Sequence, residues 1–193
     1  MSNKVIIDDN FLSKNEIESI QNVIYRVPYF YNPSTGTPYD SVKGIGGEDF
    51  TDYPMFVSGA NTVENRTETS DLSMYILDKF IKKNNIKVKN VFRAKSNITF
   101  TTLDRRPSRP HIDSDTNHHV FLYYVFDSDG DTILYNEFND GTSRNPNDLT
   151  IQHEVSPVAG KAILFDGQQY HTWKAPLESS IRCVINMNIE LEN

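Results

Sequence analysis

The stretch that decides the fold is "HVFLYYVFDSDGDTILYNEF", residues 119–138. It contains two short segments rich in β-branched and aromatic residues, separated by the polar turn sequence "DSDGD". Such segments, bounded by turn residues, are typical of short β-strands. We expect these two to pair as a hairpin across the turn.

Similar segments lie on both sides of this stretch. "VFRAKSNITFTT" precedes it, and "LTIQHEV", "KAILF", "YHTWKA" and "RCVINMNIEL" follow it, with turn-forming residues between them. A further strand at residues 109–115 gives about eight strands in roughly a hundred residues. This pattern predicts a mainly β fold, a double-stranded β-helix or jelly roll, rather than a parallel α/β sheet.

The first 87 residues have a different pattern. Residues 13–26 predict a helix that starts with a capping box formed by Ser13 and Glu16. Residues 71–83 predict a second helix, with these side chains facing inward: Leu72, Met74, Ile76, Leu77, Phe80 and Ile81. Residues 28–66 are rich in Pro, Gly, Tyr and Ser, and predict a long loop that is either a substrate lid or a packed covering. We expect one domain, 1–193, with 1–87 as a helical and loop cover and 88–193 as the jelly-roll core.

The composition is that of a globular protein, since 37% of the 193 residues are hydrophobic and 23% are charged. The N-terminus lacks the apolar run of a signal peptide, and no run approaches membrane-spanning length. We therefore expect a soluble, cytoplasmic protein without a membrane partner. The sequence does not indicate an oligomeric state.

The formal net charge of −7 argues against a general nucleic-acid-binding surface. Residues 91–110 are a local exception, because they carry five basic side chains and one acidic side chain, Asp104. The basic residues are Arg93, Lys95, Arg105, Arg106 and Arg109. The last three belong either to a solvated loop or to a surface that steers an anionic substrate or cosubstrate.

Three residues have the chemistry of a metal site. His111 and Asp113 in "RPHIDSD" are two residues apart, so on a strand they point to the same face. Alone they would more often be a polar pair on a surface loop, but His171 follows a turn at the start of a later predicted strand. Two histidines and one carboxylate form the facial triad of non-haem Fe(II) oxygenases, whereas zinc hydrolases more often use three histidines or two with Glu.

Arg182 lies eleven residues beyond His171. We expect it on a strand antiparallel to the one that carries His171, so that its side chain enters the same pocket. The planar guanidinium of arginine suits bidentate binding of a carboxylate.

Together these features resemble the 2-oxoglutarate- and Fe(II)-dependent oxygenases, and among them the prolyl-4-hydroxylase-like branch. The resemblance covers residues 88–190 and rests on "PHIDSD", "LYYVFDSDGDTILY", "PVAGKAILFDG", "YHTWKAP" and "IRCVINM" in this order. It implies that His111, Asp113 and His171 hold Fe(II). It also implies that Arg182 binds the distal carboxylate of 2-oxoglutarate.

The resemblance implies further pocket residues. Tyr124 would donate a hydrogen bond to the same distal carboxylate, while Tyr123 points to the other sheet face. The remaining implied cosubstrate-pocket residues are Thr132, either Asn97 or Thr99, and Trp173.

The implied reaction is hydroxylation of an aliphatic C–H bond in a prolyl, peptide or small-molecule substrate. It would consume O2 and 2-oxoglutarate and release succinate and CO2, with ascorbate as a further candidate cofactor. One alternative is a non-catalytic, cupin-like module that binds metal or sugar, although such a module has no need of Arg182 and Tyr124. A nucleic-acid dioxygenase is a second alternative, but those relatives carry a second arginine where this chain has Asn188.

Overall fold

The computed structural model describes residues 4–33, 49–59, 66–141 and 145–192. Its helices are α1 (Lys14–Ile24) and α2 (Glu68–Asn84). Its strands are β1 (Ile6–Asp8), β2 (Phe30–Asn32), β3 (Met55–Ser58), β4 (Val88–Phe100), β5 (His119–Tyr124), β6 (Thr132–Phe138), β7 (Ile151–Val155), β8 (Ala162–Asp166), β9 (Gln169–Trp173) and β10 (Ile181–Leu191). No helix among these residues is both long and apolar enough to cross a lipid bilayer.

The strands form two antiparallel sheets. The major sheet has seven strands in the order β1-β8-β5-β10-β4-β3-β2, and the minor sheet has three in the order β7-β6-β9. The predicted mainly β jelly roll with flanking helices is confirmed.

Successive side chains on the central strands point to opposite faces of the major sheet, so they form two separate apolar layers. On β5, Tyr123 faces outward and joins a cluster that includes Phe80 of α2 and Ile185 of β10. Its neighbour Tyr124 faces inward and joins a second cluster with Val184 of β10. The helices therefore cover the outer face of the major sheet, and its inner face remains for the site.

The two helices follow the sequence signals closely. The Ser13–Glu16 capping box at the start of α1 is present as predicted. Helix α2 begins after the cap residue Thr67, a few residues earlier than predicted. It is followed by the C-cap residue Asn85, whose backbone has the left-handed conformation. The inward orientation predicted for Met74 is wrong, because this side chain is 39% exposed at the edge of the apolar stripe.

The predicted hairpin of residues 119–138 is wrong. β5 pairs with β8 and β10 in the major sheet, whereas β6 pairs with β7 and β9 in the minor sheet. The intervening turn crosses between the sheets, and its Asp129 carboxylate accepts hydrogen bonds from the backbone N–H groups of Leu177, Glu178 and Ser179 at 2.8–3.0 Å. The turn residues thus hold the loop before β10 instead of closing a hairpin.

The predicted antiparallel pairing of the strands that carry His171 and Arg182 is also wrong. β9 and β10 are not antiparallel neighbours, because β9 belongs to the minor sheet and β10 to the major sheet. His171 and Arg182 therefore face each other from opposite layers.

The remaining differences concern short strands. The predicted strand at residues 109–115 is reduced to one bridge between His111 and His171. The stretch 28–66, predicted as irregular, contributes β2 and β3 to the major sheet, while residues 34–48 and 60–65 lie outside the described residues. The short strand β1 was not predicted from the sequence.

The packing of α2 on the sheet is testable at Phe80, which is fully buried and has its ring centroid 5.4 Å from Phe11 and 5.0 Å from Phe121. Phe80→Ala should lower the free energy of unfolding in urea by about 3–5 kcal/mol, because it removes a large buried side chain and leaves a cavity. Phe92→Ala is the control, since Phe92 is 38% exposed, and it should cost no more than about 1 kcal/mol. Equal losses in both variants would contradict this packing.

Candidate metal centre and carboxylate pocket

Three metal-ligating side chains meet between the two sheets. One donor atom each from His111, Asp113 and His171 lies within 4.8 Å of the other two. The backbone N–H groups of the two histidines each donate to the other residue's carbonyl oxygen, at 2.9 and 3.0 Å. This reciprocal pair ties the segment before β5 to β9, so all three side chains converge although only His171 lies on a strand.

Both histidine rings are oriented for metal binding through Nε2. The Nδ1 atom of His111 lies 2.9 Å from the carbonyl oxygen of Arg109, and that of His171 lies 3.1 Å from the carbonyl oxygen of Gln169. Because a carbonyl oxygen can only accept, each Nδ1 must donate, which leaves the Nε2 lone pair free. Burial and the nearby His111 lower the pKa of His171 to about 4, so its imidazole is neutral at pH 7.

The Asp113 carboxylate is held from the major sheet. Its Oδ2 atom forms a salt bridge with Nη2 of Arg93 on β4 at 2.9 Å and accepts a hydrogen bond from Nδ2 of Asn186 on β10 at 3.3 Å. Its Oδ1 atom lies 3.9 Å from Nε2 of His111. Burial raises the pKa of Asp113, but Arg93 and the other nearby cationic groups outweigh it, so the pKa lies well below its usual range.

Arg182 lies further along the same inner row of β10, four residues or about 13 Å from Asn186. Its side chain is buried, with Nε donating to the carbonyl oxygen of Gly130 at 2.8 Å and Nη2 donating to Oγ1 of Thr132 at 2.7 Å. Within the described part of the chain it forms no salt bridge. Gly130 is required here, because a Cβ would lie 2.5 Å from the carbonyl oxygen of Lys174 and 3.0 Å from Cδ of Arg182.

Trp173 connects the arginine to the histidines. The guanidinium carbon of Arg182 lies 5.3 Å from the centre of the Trp173 ring. Trp173 is two residues beyond His171 on β9, about 7 Å along the strand and on the same face. The residues expected to bind a metal and those expected to bind a carboxylate therefore line the same space between the two sheets.

Two inward-facing polar side chains between these ends have buried atoms without hydrogen-bond partners. They are the hydroxyl oxygen of Tyr124 and Oδ1 of Asn97. Burial raises the pKa of Tyr124 to about 12 although the Arg182 charge lowers it, so the phenol is protonated at neutral pH. Thr99 also faces inward, opposite Arg182, but its hydroxyl lies near the Arg182 carbonyl oxygen. Asn97 is thus the better candidate of the two predicted alternatives.

Sequence reasoning noted Arg93 and Lys95 only as part of a basic stretch. The structure separates that stretch, because these two residues lie on the inner face of β4, whereas Arg106 pairs with Asp104 on an exposed turn. Arg93 and Lys95 are two residues apart on a predicted strand, so they point to the same face, and this spacing could have identified them from the sequence. Asn186, which also contacts Asp113, lies four residues from Arg182 on one strand and points to the same face, so it could have been identified in the same way.

No protein-family profile matches the chain, and no curated protein sequence matches it either. Solved structures do match. An oxidoreductase of the 2OG-Fe(II) oxygenase family from Burkholderia pseudomallei superposes with a TM-score of 0.65 at 11% identity, covering 98% of this chain and 86% of that chain.

Two further matches contain bound molecules. A prolyl hydroxylase from Trichoplax adhaerens, in complex with a hypoxia inducible factor oxygen degradation domain peptide fragment, has a TM-score of 0.58 at 18% identity, covering 97% of this chain and 84% of that chain. HygX from Streptomyces hygroscopicus, with nickel, 2-oxoglutarate and hygromycin B bound, has a TM-score of 0.60 at 11% identity, covering 96% and 82%. The chain therefore has the jelly-roll fold of the 2-oxoglutarate- and Fe(II)-dependent oxygenases.

Proposed function

We propose that this protein is an Fe(II)- and 2-oxoglutarate-dependent dioxygenase that hydroxylates an aliphatic C–H bond of a peptide or small-molecule substrate. The observation that carries the proposal is the buried Arg182 guanidinium, which forms no salt bridge with any described residue and is influenced by the Asp131 carboxylate only through its charge. It lines the same space between the two sheets as the His–Asp–His cluster. A buried cation is costly unless it is paired. A dicarboxylic acid that also reaches the metal would supply the missing partner.

The residues present fit both groups. His111, Asp113 and His171 supply two imidazole nitrogen donors and one carboxylate, which is the donor set of the non-haem Fe(II) facial triad and leaves open positions on the ion. At the other end, Arg182 offers its planar fork to the distal carboxylate of 2-oxoglutarate. The Tyr124 hydroxyl, which is buried near Thr132 and has no hydrogen bond of normal geometry to a described residue, would donate a further hydrogen bond to it.

When bound, iron and 2-oxoglutarate supply the oxidising chemistry, in which O2 is consumed and succinate and CO2 are released. The chain's own contribution is binding and orientation. Arg93 and Asn186 fix the Asp113 carboxylate, and the Nδ1 hydrogen bonds fix both imidazole rings. Thr132 and Gly130 fix the Arg182 side chain, and Trp173 covers it.

Only the broad class of the substrate is inferred. One protein of this fold is bound to a peptide and another to hygromycin B, which supports a peptide or a small molecule as the substrate class. A cupin-like binding module would leave the Arg182 and Tyr124 pair without a purpose, so we favour an oxygenase.

Anaerobic titration with Fe(II) and 2-oxoglutarate tests the proposal directly. We expect a metal-to-ligand charge-transfer absorption band to develop, because 2-oxoglutarate would chelate the ion held by the triad. Binding of 2-oxoglutarate should also change the fluorescence of Trp173, the only tryptophan in the chain. A protein that gives neither signal would not be a 2-oxoglutarate oxygenase.

Arg182→Met should raise the dissociation constant for 2-oxoglutarate at least about 30-fold, equivalent to about 2 kcal/mol, because it removes a buried charged partner but keeps most of the side-chain volume. Affinity for Mn(II), measured by calorimetry without 2-oxoglutarate, should change little. Arg66→Met is the matched control, since Arg66 pairs with Asp71 on the surface. Parallel loss of metal and 2-oxoglutarate binding in Arg182→Met would make Arg182 a structural residue.

Asp113→Asn should abolish succinate formation and weaken metal binding strongly, because the neutral amide is a poor ligand for a hard divalent ion. Asp78→Asn, which alters a surface pair with Lys82, serves as the control. Succinate assays and metal titrations measure both effects. Turnover at the wild-type rate in Asp113→Asn would show that the carboxylate ligand is a different residue.

A further inference from the structure

Lys95 is a cation beside the proposed metal position that forms no ion pair with any residue in the described part of the chain. It lies on β4 opposite Asn186 of β10, the residue whose amide contacts Asp113, so its side chain is on the inner face. Its ammonium forms no hydrogen bond or salt bridge with any residue that the structure describes. It is half-buried, which leaves it accessible to a ligand.

The charge around Lys95 is unbalanced. Among the described residues, its two charged neighbours are Arg93, which is also a cation, and Asp113. Arg93 already forms a salt bridge with Asp113 and donates a hydrogen bond to Asn188, and Asp113 is also the carboxylate expected to bind the metal. With a divalent ion in place, one acidic side chain of the described residues would therefore face three cationic groups at this end of the site.

Maintaining this charge has a cost to the fold. Burial, with a smaller contribution from Arg93, lowers the pKa of Lys95 to about 8, so the amine is mostly protonated at pH 7. A lysine pKa below that of the unfolded chain means that the protonated amine destabilises the folded state at neutral pH. By contrast, Lys89 on the same strand pairs with Glu190 at 2.6 Å.

We propose that Lys95, supported by Arg93, forms an anion subsite next to the metal, and that the primary substrate carries a carboxylate or phosphate group that binds there. This inference rests on the proposed function and narrows its substrate to an anionic molecule. The net charge of the chain is −7, so the cationic wall is a local feature and would select an anionic substrate from solution. Binding this group at Lys95 would hold a nearby C–H bond of the substrate toward the metal.

The test uses the anaerobic complex with Fe(II) and 2-oxoglutarate, titrated with sodium propionate, inorganic phosphate and the neutral propionamide at matched ionic strength. Propionate or phosphate should shift the charge-transfer band and propionamide should not, and whichever acid binds more tightly identifies the group. Lys95→Met should weaken that binding at least about tenfold, as expected for loss of a charged hydrogen-bond donor. Lys95→Arg should retain most of it, and Lys89→Met should match the wild type.

Three results would overturn the subsite. These are equal effects of the acids and the amide, unchanged anion binding in Lys95→Met, or a loss of 2-oxoglutarate affinity in Lys95→Met as large as that in Arg182→Met. The last result would mean that Lys95 binds 2-oxoglutarate rather than the primary substrate.

A second measurement separates the subsite from the proposed function. Thermal unfolding of the metal-free protein should show stabilisation by propionate or phosphate over chloride in the wild type and in Lys89→Met, and none in Lys95→Met. If no charge-transfer band forms but this difference is present, the oxygenase function fails and the anion site stands. If the band forms and the difference is absent, the anion site fails alone.

Discussion

The buried charge of Arg182 is the constraint on which the arrangement of this protein depends. A guanidinium inside a β sandwich must be surrounded by acceptors, and here the minor sheet and the loop that leads into it provide them. The Gly130 carbonyl comes from the crossover between β5 and β6, and the Thr132 hydroxyl and the Trp173 ring come from the minor sheet. Asp129 in that crossover also holds the loop that leads into β10. The turn sequence "DSDGD" is therefore explained by the arginine and its loop rather than by a local hairpin.

The opposite end of the site depends on one carboxylate. The Oδ2 atom of Asp113 forms a salt bridge with Arg93 and accepts a hydrogen bond from Asn186, both on the major sheet, while its Oδ1 atom lies 3.9 Å from Nε2 of His111. The reciprocal backbone hydrogen bonds of His111 and His171 attach the ligand segment to the minor sheet. Both ends of the site thus join the two sheets, which supports a pocket that is largely formed before any ligand binds.

Local patterns in the sequence predicted most of the elements but not their partners. The capping box at Ser13 and the strand β6 follow from short-range rules, and each is present. The inward orientation of Tyr124, which the family resemblance implied, is also present. The pairing of β5 with β10 depends on contacts about sixty residues apart in the sequence, and a turn signal cannot report them. The convergence of His111 with His171 was predictable because both residue types and their spacing match a known donor set. Lys95 was not, because its significance lies in the lack of a salt bridge to any described residue and in its place beside Arg93, which only the folded structure reveals.

A crystal structure of the protein grown anaerobically with Mn(II) and 2-oxoglutarate tests the central claim most directly. We expect an anomalous scattering peak bound by Nε2 of His111, Nε2 of His171 and the Asp113 carboxylate. The keto acid end of 2-oxoglutarate should complete the coordination, with its distal carboxylate on the Arg182 guanidinium. A metal bound elsewhere, or 2-oxoglutarate bound without contact to Arg182, would contradict the account.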